Sequence, residues 1–189
     1  MKYQFALGIA VLSLVSACDS QKNGEADGAA ATTSAKKAKA FNYKDNCGGE
    51  LKAADIPSTP IAGSIDGSSF ESVYGKLERK GQQLNFFSLK ASDPCGSPPL
   101  GKEKIRVGAK GEAALTAKTY TKKELEFTYT KYGADNSTKS YALVKSATLV
   151  IDKLGPNKGD KVTGKIAVCF EKEGSFFAGT FEASTCSAK

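Results

Sequence analysis

The sequence contains no histidine and no tryptophan, a single methionine, and only two arginines, Arg79 and Arg106. The missing histidine excludes Ser-His-Asp and Cys-His catalysis and every His-ligated metal site. None of the five cysteines belongs to a Cys-x-x-Cys pair, which argues against a four-thiolate zinc site. With positive charge carried almost wholly by lysine, the planar bidentate phosphate reading that arginine supplies is scarce. No stretch shows convincing helical periodicity, and no apolar run reaches the ~20 residues a helix needs to cross a bilayer. There is no internal repeat, and nothing implies a cofactor. What remains is ordinary globular material: 189 residues, 40% hydrophobic and 25% charged, enough for one domain of moderate size. Lysine and arginine number 27 against 20 acidic residues, a net charge of +7.

The N-terminus has three parts. Lys2 precedes an apolar run from Phe5 to Val15, and the small residues Ser16 and Ala17 follow. This is the pattern of a secretory signal peptide over residues 1–17. Leu14-Val15-Ser16-Ala17-Cys18 then resembles the lipobox of bacterial lipoproteins. The resemblance covers only this segment. It implies that the Cys18 thiol carries a diacylglycerol, that the chain is cut just before Cys18, and that the new amino terminus is acylated. Two or more acyl chains give stable membrane anchoring where one is marginal. Asp19 follows at the position where, in enterobacterial sorting, aspartate implies retention in the inner membrane. The other reading is plain signal cleavage, with Cys18 left as a thiol. Cleavage removes Lys2 alone among the charged side chains, leaving 26 basic against 20 acidic residues, a net +6. The expected location is therefore the bacterial cell envelope, with the domain in the periplasm or at the cell surface.

Lipidation of Cys18 leaves Cys47, Cys95, Cys169 and Cys186. An even set in an exported protein reads as two disulfides, and four cysteines allow three pairings. The pairing favoured here is Cys95–Cys186 with Cys47–Cys169. Cys169 and Cys186 are expected on consecutive antiparallel strands but out of register, with Cys169 opposite Ala178 or its neighbours if the hairpin turns near Gly174.

Residues 18–46 contain few large apolar side chains, and Ala30 to Ala40 is alanine, threonine, serine and lysine only. Such a segment cannot bury enough surface to offset its chain entropy, so it reads as a flexible tether. Its lysines, Lys36, Lys37 and Lys39, suit solubility or attraction to anionic lipid and polymer. Order is expected to return between Phe41 and Cys47, and a single disulfide-braced domain is expected over 47–189.

Within that domain the pattern is strand, turn, strand. Ile61–Ile65, Phe70–Leu77, Gln83–Leu89, Ile105–Ala109, Glu124–Thr130, Tyr141–Ile151, Val162–Phe170 and Phe176–Ala183 are β-rich. Asp66-Gly67, Arg79-Lys80-Gly81, Gly133 to Asn136, Leu154 to Asp160 and Glu173-Gly174 supply the turns. The expected fold is all-β, a single antiparallel sandwich or barrel-like domain after a disordered tether.

The chemistry on offer is thin. Glu124 and Glu126 would share the wet face of one strand, which is more often solvation than a glycosidase pair. The one Ser-x-x-Lys after the signal peptide, Ser34 to Lys37, falls in the tether. Asp135-Asn136-Ser137 lacks the ligand spacing of a calcium loop. Lys189 resembles the terminal lysine by which one coiled-coil lipoprotein family is joined to peptidoglycan, though this chain is not a coiled coil. In Phe86-Phe87 and Phe176-Phe177, one ring of each pair enters the core while its neighbour is covered, sits at a strand end, or faces a partner. The reading is a membrane-anchored lipoprotein with a non-catalytic binding or structural domain and no catalytic or metal site. Its partners would be the membrane through Cys18 and an anionic envelope polymer or envelope protein, with nucleic acid a poor fit. The alternative is an envelope hydrolase using carboxylates or a Ser-Lys pair.

Overall fold

A computed structural model describes residues 40–96, 103–132, 138–141 and 143–187. The signal segment, Cys18, the tether as far as residue 39, the Asp135-Asn136-Ser137 turn and Lys189 lie outside the described residues.

Eleven strands follow in chain order: β1 (Ala62–Ile65), β2 (Ser68–Glu71), β3 (Tyr74–Glu78), β4 (Gln83–Phe87), β5 (Lys104–Ala109), β6 (Thr119–Thr121), β7 (Leu125–Tyr132), β8 (Thr138–Tyr141), β9 (Val144–Leu154), β10 (Lys161–Phe170) and β11 (Phe176–Thr185). They form one continuous sheet, ordered β6-β9-β10-β11-β3-β4-β5-β7-β8, curled into a half-barrel. The all-β expectation holds, with a refinement. The sheet is mixed, because β3 runs parallel to β11, pairing Gly75 with Ala183 and Leu77 with Thr185. The first half of β11 instead pairs antiparallel with β1, Ala62 opposite Ala178. One long strand thus receives two short ones end to end.

That arrangement explains why Phe70–Leu77 is not a single strand. β2 belongs to the β1 hairpin and β3 to β4 and β11, so the chain turns a corner between them. At the corner Ser72 N–H donates to the Ile61 carbonyl and Val73 N–H to the Phe87 carbonyl, both at 3.0 Å. The Tyr141–Ile151 stretch is likewise divided, into the end of β8 and most of β9. Leu143, between them, is 69% exposed rather than part of the core face. The turns follow the sequence closely: Asp66 and Gly67 take φ of 54° and 74°, and Arg79, Lys80 and Gly81 take 51°, 54° and 84°. Gly174 turns the last hairpin tightly, so Cys169 lies opposite Phe176 and it is Ala167 that faces Ala178.

The concave face carries the main core. Leu125, Phe127 and Tyr129 of β7, Leu149 and Ile151 of β9, Ile166 and Val168 of β10, and Phe177 of β11 alternate inward at the two-residue period. Central strands must also be covered outside. A β-bulge between Thr163 and Gly164 locally shifts the β9–β10 register. A side chain at Gly164 would run into the Val150 carbonyl oxygen, so glycine keeps the two strands in contact there.

The outer cover comes from residues 41–56, a strap across β9, β10 and β11. It carries a short helix, α1 (Tyr43–Asn46), capped by the Asn42 side chain accepting from Asp45 N–H, and a 3-10 turn at Ala53–Asp55. The strap's Cys47, Leu51 and Ile56 pack with Ala167, Cys169 and Ala178 in a second cluster flanked by Phe41, Tyr43, Val150 and Phe176. Residues 41–46, at the end of the expected tether, are therefore packed on the domain. Aromatic side chains return there, and the sheet offers an apolar outer face to receive them. Among the described residues no helix is long and apolar enough to cross a membrane.

Candidate functional site

Two disulfides hold the outer face. Cys47 joins Cys169, and Cys95 joins Cys186. Their surroundings differ. Cys47 and Cys169 are 1% and 0% exposed, whereas Cys95 and Cys186 sit half-buried at the surface. The Cys95–Cys186 bridge holds the turn at 93–96 over β3, helped by Tyr74 Oη donating to the Pro94 carbonyl at 2.7 Å and Lys76 Nζ to the Gly96 carbonyl at 3.3 Å.

Beneath and beside that turn lies a polar cluster on the outer face of β3, β4 and β5. Lys76, Asn85 and Arg106 are cross-strand neighbours. Lys76 is 5% exposed and pairs with Glu78 at 2.7 Å, and Asn85 Nδ2 donates to the same carboxylate at 2.8 Å. Lys76 is the buried member of this pair, its ammonium held by the Glu78 carboxylate and the Gly96 carbonyl, while Glu78 stays about a third exposed. Asn85 Oδ1 and Arg106 Nε are buried without a hydrogen-bond partner. Lys104 is pushed below the usual lysine range, first by burial and then by the Arg106 charge. Burial, with the Glu78 and Asp93 charges, pushes the Tyr74 phenol up to about 12.

Tyr74 therefore reports on the turn above it. Mild reductant is expected to open Cys95–Cys186 while Cys47–Cys169 stays closed, because thiolate attack needs access to sulfur. Alkylation and peptide mass spectrometry should find Cys95 and Cys186 labelled first. A spectrophotometric titration of the parent protein beside Tyr74→Phe should show the Tyr74 contribution ionising late before reduction and moving toward the ordinary value after it. Simultaneous labelling of all four cysteines would contradict the asymmetry.

The second feature is an open cleft of about 540 Å³ where the strap meets the β6–β9 edge. Three parts of the chain build it: Gly49 to Leu51 of the strap, the single 3-10 turn Lys122–Glu124 between β6 and β7, and Lys145 to Ala147 at the start of β9. The turn is set by a capping box in which Thr121 N–H donates to Glu124 Oε2 at 2.9 Å. Lys118 Nζ takes the other Glu124 oxygen at 2.8 Å. These contacts hold the Glu124 carboxyl below its usual range, the Lys118 hydrogen bond contributing most. The acid of this turn is thus engaged by Lys118, and Lys122 and Lys123 form no ion pair among the described residues. Lys145 lies across from them with its ammonium 5.9 Å from the centre of the Tyr43 ring. Ser146 is 8% exposed, and its hydroxyl has no hydrogen-bond partner.

The residues singled out from sequence are distributed as follows. Glu124 lies in the 3-10 turn and Glu126 on β7, so the two do not share a strand. Both rings next to a core phenylalanine are covered: Phe87 stacks on Tyr74 at 5.1 Å, and Phe176 meets Phe41 at 5.4 Å. The exposed large apolar side chains among the described residues are Val73 and Leu143. No group of three or more His, Cys, Asp or Glu suited to a metal ion occurs among the described residues. Nothing local in the sequence brings Lys122-Lys123 beside Lys145-Ser146; the pairing of β6 with β9 does. The fold and cleft define a disulfide-braced, half-barrel β domain with a cationic concavity on its outer face. No family model, no curated protein and no solved structure matches this chain.

Proposed function

We propose that this is a lipid-anchored protein of the bacterial cell envelope, modified at Cys18, whose β domain is a non-catalytic binding module for an anionic envelope partner. The observation that carries the binding half is the cleft lined by Lys122, Lys123 and Lys145. Exposed lysines around an open cleft attract anions and raise their local concentration. The hydrolase alternative draws less support. Glu124 is engaged by Lys118 and the Thr121 amide. The lysines beside Ser146 are exposed, where a Ser-Lys nucleophile needs a desolvated amine. The anchoring half rests on the Leu14-to-Cys18 resemblance and on the tether that follows it.

The test of the anchor is the intact mass of the protein extracted from membranes, with and without reduction. The expected mass carries a diacyl or triacyl addition at Cys18, and reduction of two disulfides adds four hydrogens. An unlipidated mass beginning at Cys18 or upstream would overturn the anchor.

A further inference from the structure

We infer that the cleft between the strap and the Lys122–Glu124 turn is a phosphate-class anion site, with Lys122, Lys123 and Lys145 as its charge and the Ser146 hydroxyl as its inner donor. This rests on the binding reading above and narrows it to a ligand chemistry.

Ser146 is the first observation. It stands on the outer face of β9, two residues before Thr148, in the row that the strap covers. Thr148 gives its hydroxyl to the Leu51 carbonyl. Ser146, equally hidden, gives its hydroxyl to nothing. A buried hydroxyl without a partner costs free energy until an acceptor reaches it. Ser146 lines the cleft, so a small shift of the lining on binding opens its hydroxyl to an acceptor there.

The second observation is charge. Three lysines and one carboxylate, Glu50, line the cleft, a net of +2. A phosphomonoester carries about −1.5 to −2 near neutral pH and presents three acceptor oxygens. Lysine serves phosphate as a flexible point charge, so three of them with one fixed hydroxyl match a tetrahedral group better than a planar, singly charged carboxylate. The volume of about 540 Å³ exceeds one phosphate and admits the group that bears it. Glu50 disfavours a bare polyanion and can accept from a hydroxyl beside the phosphate.

The experiment uses the full chain in nonionic detergent micelles. Inorganic phosphate is titrated calorimetrically at fixed ionic strength, with chloride as the reference and a polyuronate as the carboxylate arm. Saturable phosphate binding is expected. Ser146→Ala is expected to weaken it roughly 10–100-fold, the usual loss of one hydrogen bond to a charged acceptor. The combined Lys122→Gln, Lys123→Gln and Lys145→Gln variant, which changes only exposed side chains and so keeps the fold, is expected to weaken it by more than about tenfold. Doping the micelle with phosphatidic acid distinguishes the source. Suppression of the phosphate isotherm assigns the site to a lipid headgroup, and an unchanged isotherm assigns it to free or polymer-borne phosphate. Phosphate binding no better than chloride, or binding indifferent to the lysine substitutions, overturns the proposal. Polyuronate binding without phosphate binding overturns the phosphate chemistry while leaving the anionic-partner reading intact, and failure of every anion overturns both.

Discussion

Replacing Cys47 and Cys169 together by alanine, with Cys95–Cys186 intact, is expected to cost about 3–5 kcal/mol of folding stability. The bridge closes a separation of 122 residues, and long closed loops lose the most denatured-state entropy in the chain-entropy model. Alanine is the right replacement because serine would add two buried hydroxyls to an apolar cluster. The loss has a packing part as well, since the bridge seats Leu51 and Ile56 against the outer faces of β10 and β11. For a domain of this size the melting temperature should fall by roughly 10 °C. Urea unfolding of the double-alanine variant beside the parent protein measures it. A cost below about 1 kcal/mol would show that packing alone holds the strap.

The adjacent phenylalanines of β11 should behave very differently. Phe177 is 0% exposed and meets Phe70 at 6.2 Å and Phe170 at 6.0 Å in the concave core. Phe177→Ala is expected to cost about 3–5 kcal/mol, the transfer term plus the cavity left among rings that cannot close on it. Phe176 points the other way, onto Phe41 of the strap, and is only partly buried. Phe176→Ala is expected to cost about 1–2 kcal/mol, because the strap can settle and water already reaches the ring. Equal costs in denaturant unfolding would mean that the two faces of β11 are not separate cores.

The strands were legible because their sequence alternates. Leu125, Phe127 and Tyr129 announce an inward face, and Asp66-Gly67, Arg79-Lys80-Gly81 and Glu173-Gly174 announce turns, whatever the partners. Partner choice was not legible. A parallel contact between β3 and β11 spans more than a hundred residues and leaves no local trace, so the division of Phe70–Leu77 at Ser72 and Val73 could not be read. The cover of the outer face of β3 to β5 leaves no local trace either. Lys76, Asn85 and Arg106 are polar side chains on one face, yet Lys76 and Asn85 are buried, Lys76 beneath the turn held by Cys95–Cys186. The lysine cleft was hidden for the same reason. It is assembled from three segments that only sheet pairing brings together.

The bridge from Cys47 to Cys169 also sets a mechanical path. A pull entering from the N-terminal side of Cys47 passes through sulfur directly into β10, in the interior of the sheet, instead of peeling the strap from its edge. The 122-residue separation it spans is shielded from extension while the bond is closed. Between Cys169 and the C-terminal side only β11 and its hairpin lie in the loaded path, and β11 is held on one side by β10 and on the other by both β1 and β3. A load between the two ends is therefore borne in shear by β11 against its neighbours, and the cationic cleft lies within the span that the bridge takes out of load, while the turn over β3 stays tied to the loaded segment through Cys95–Cys186.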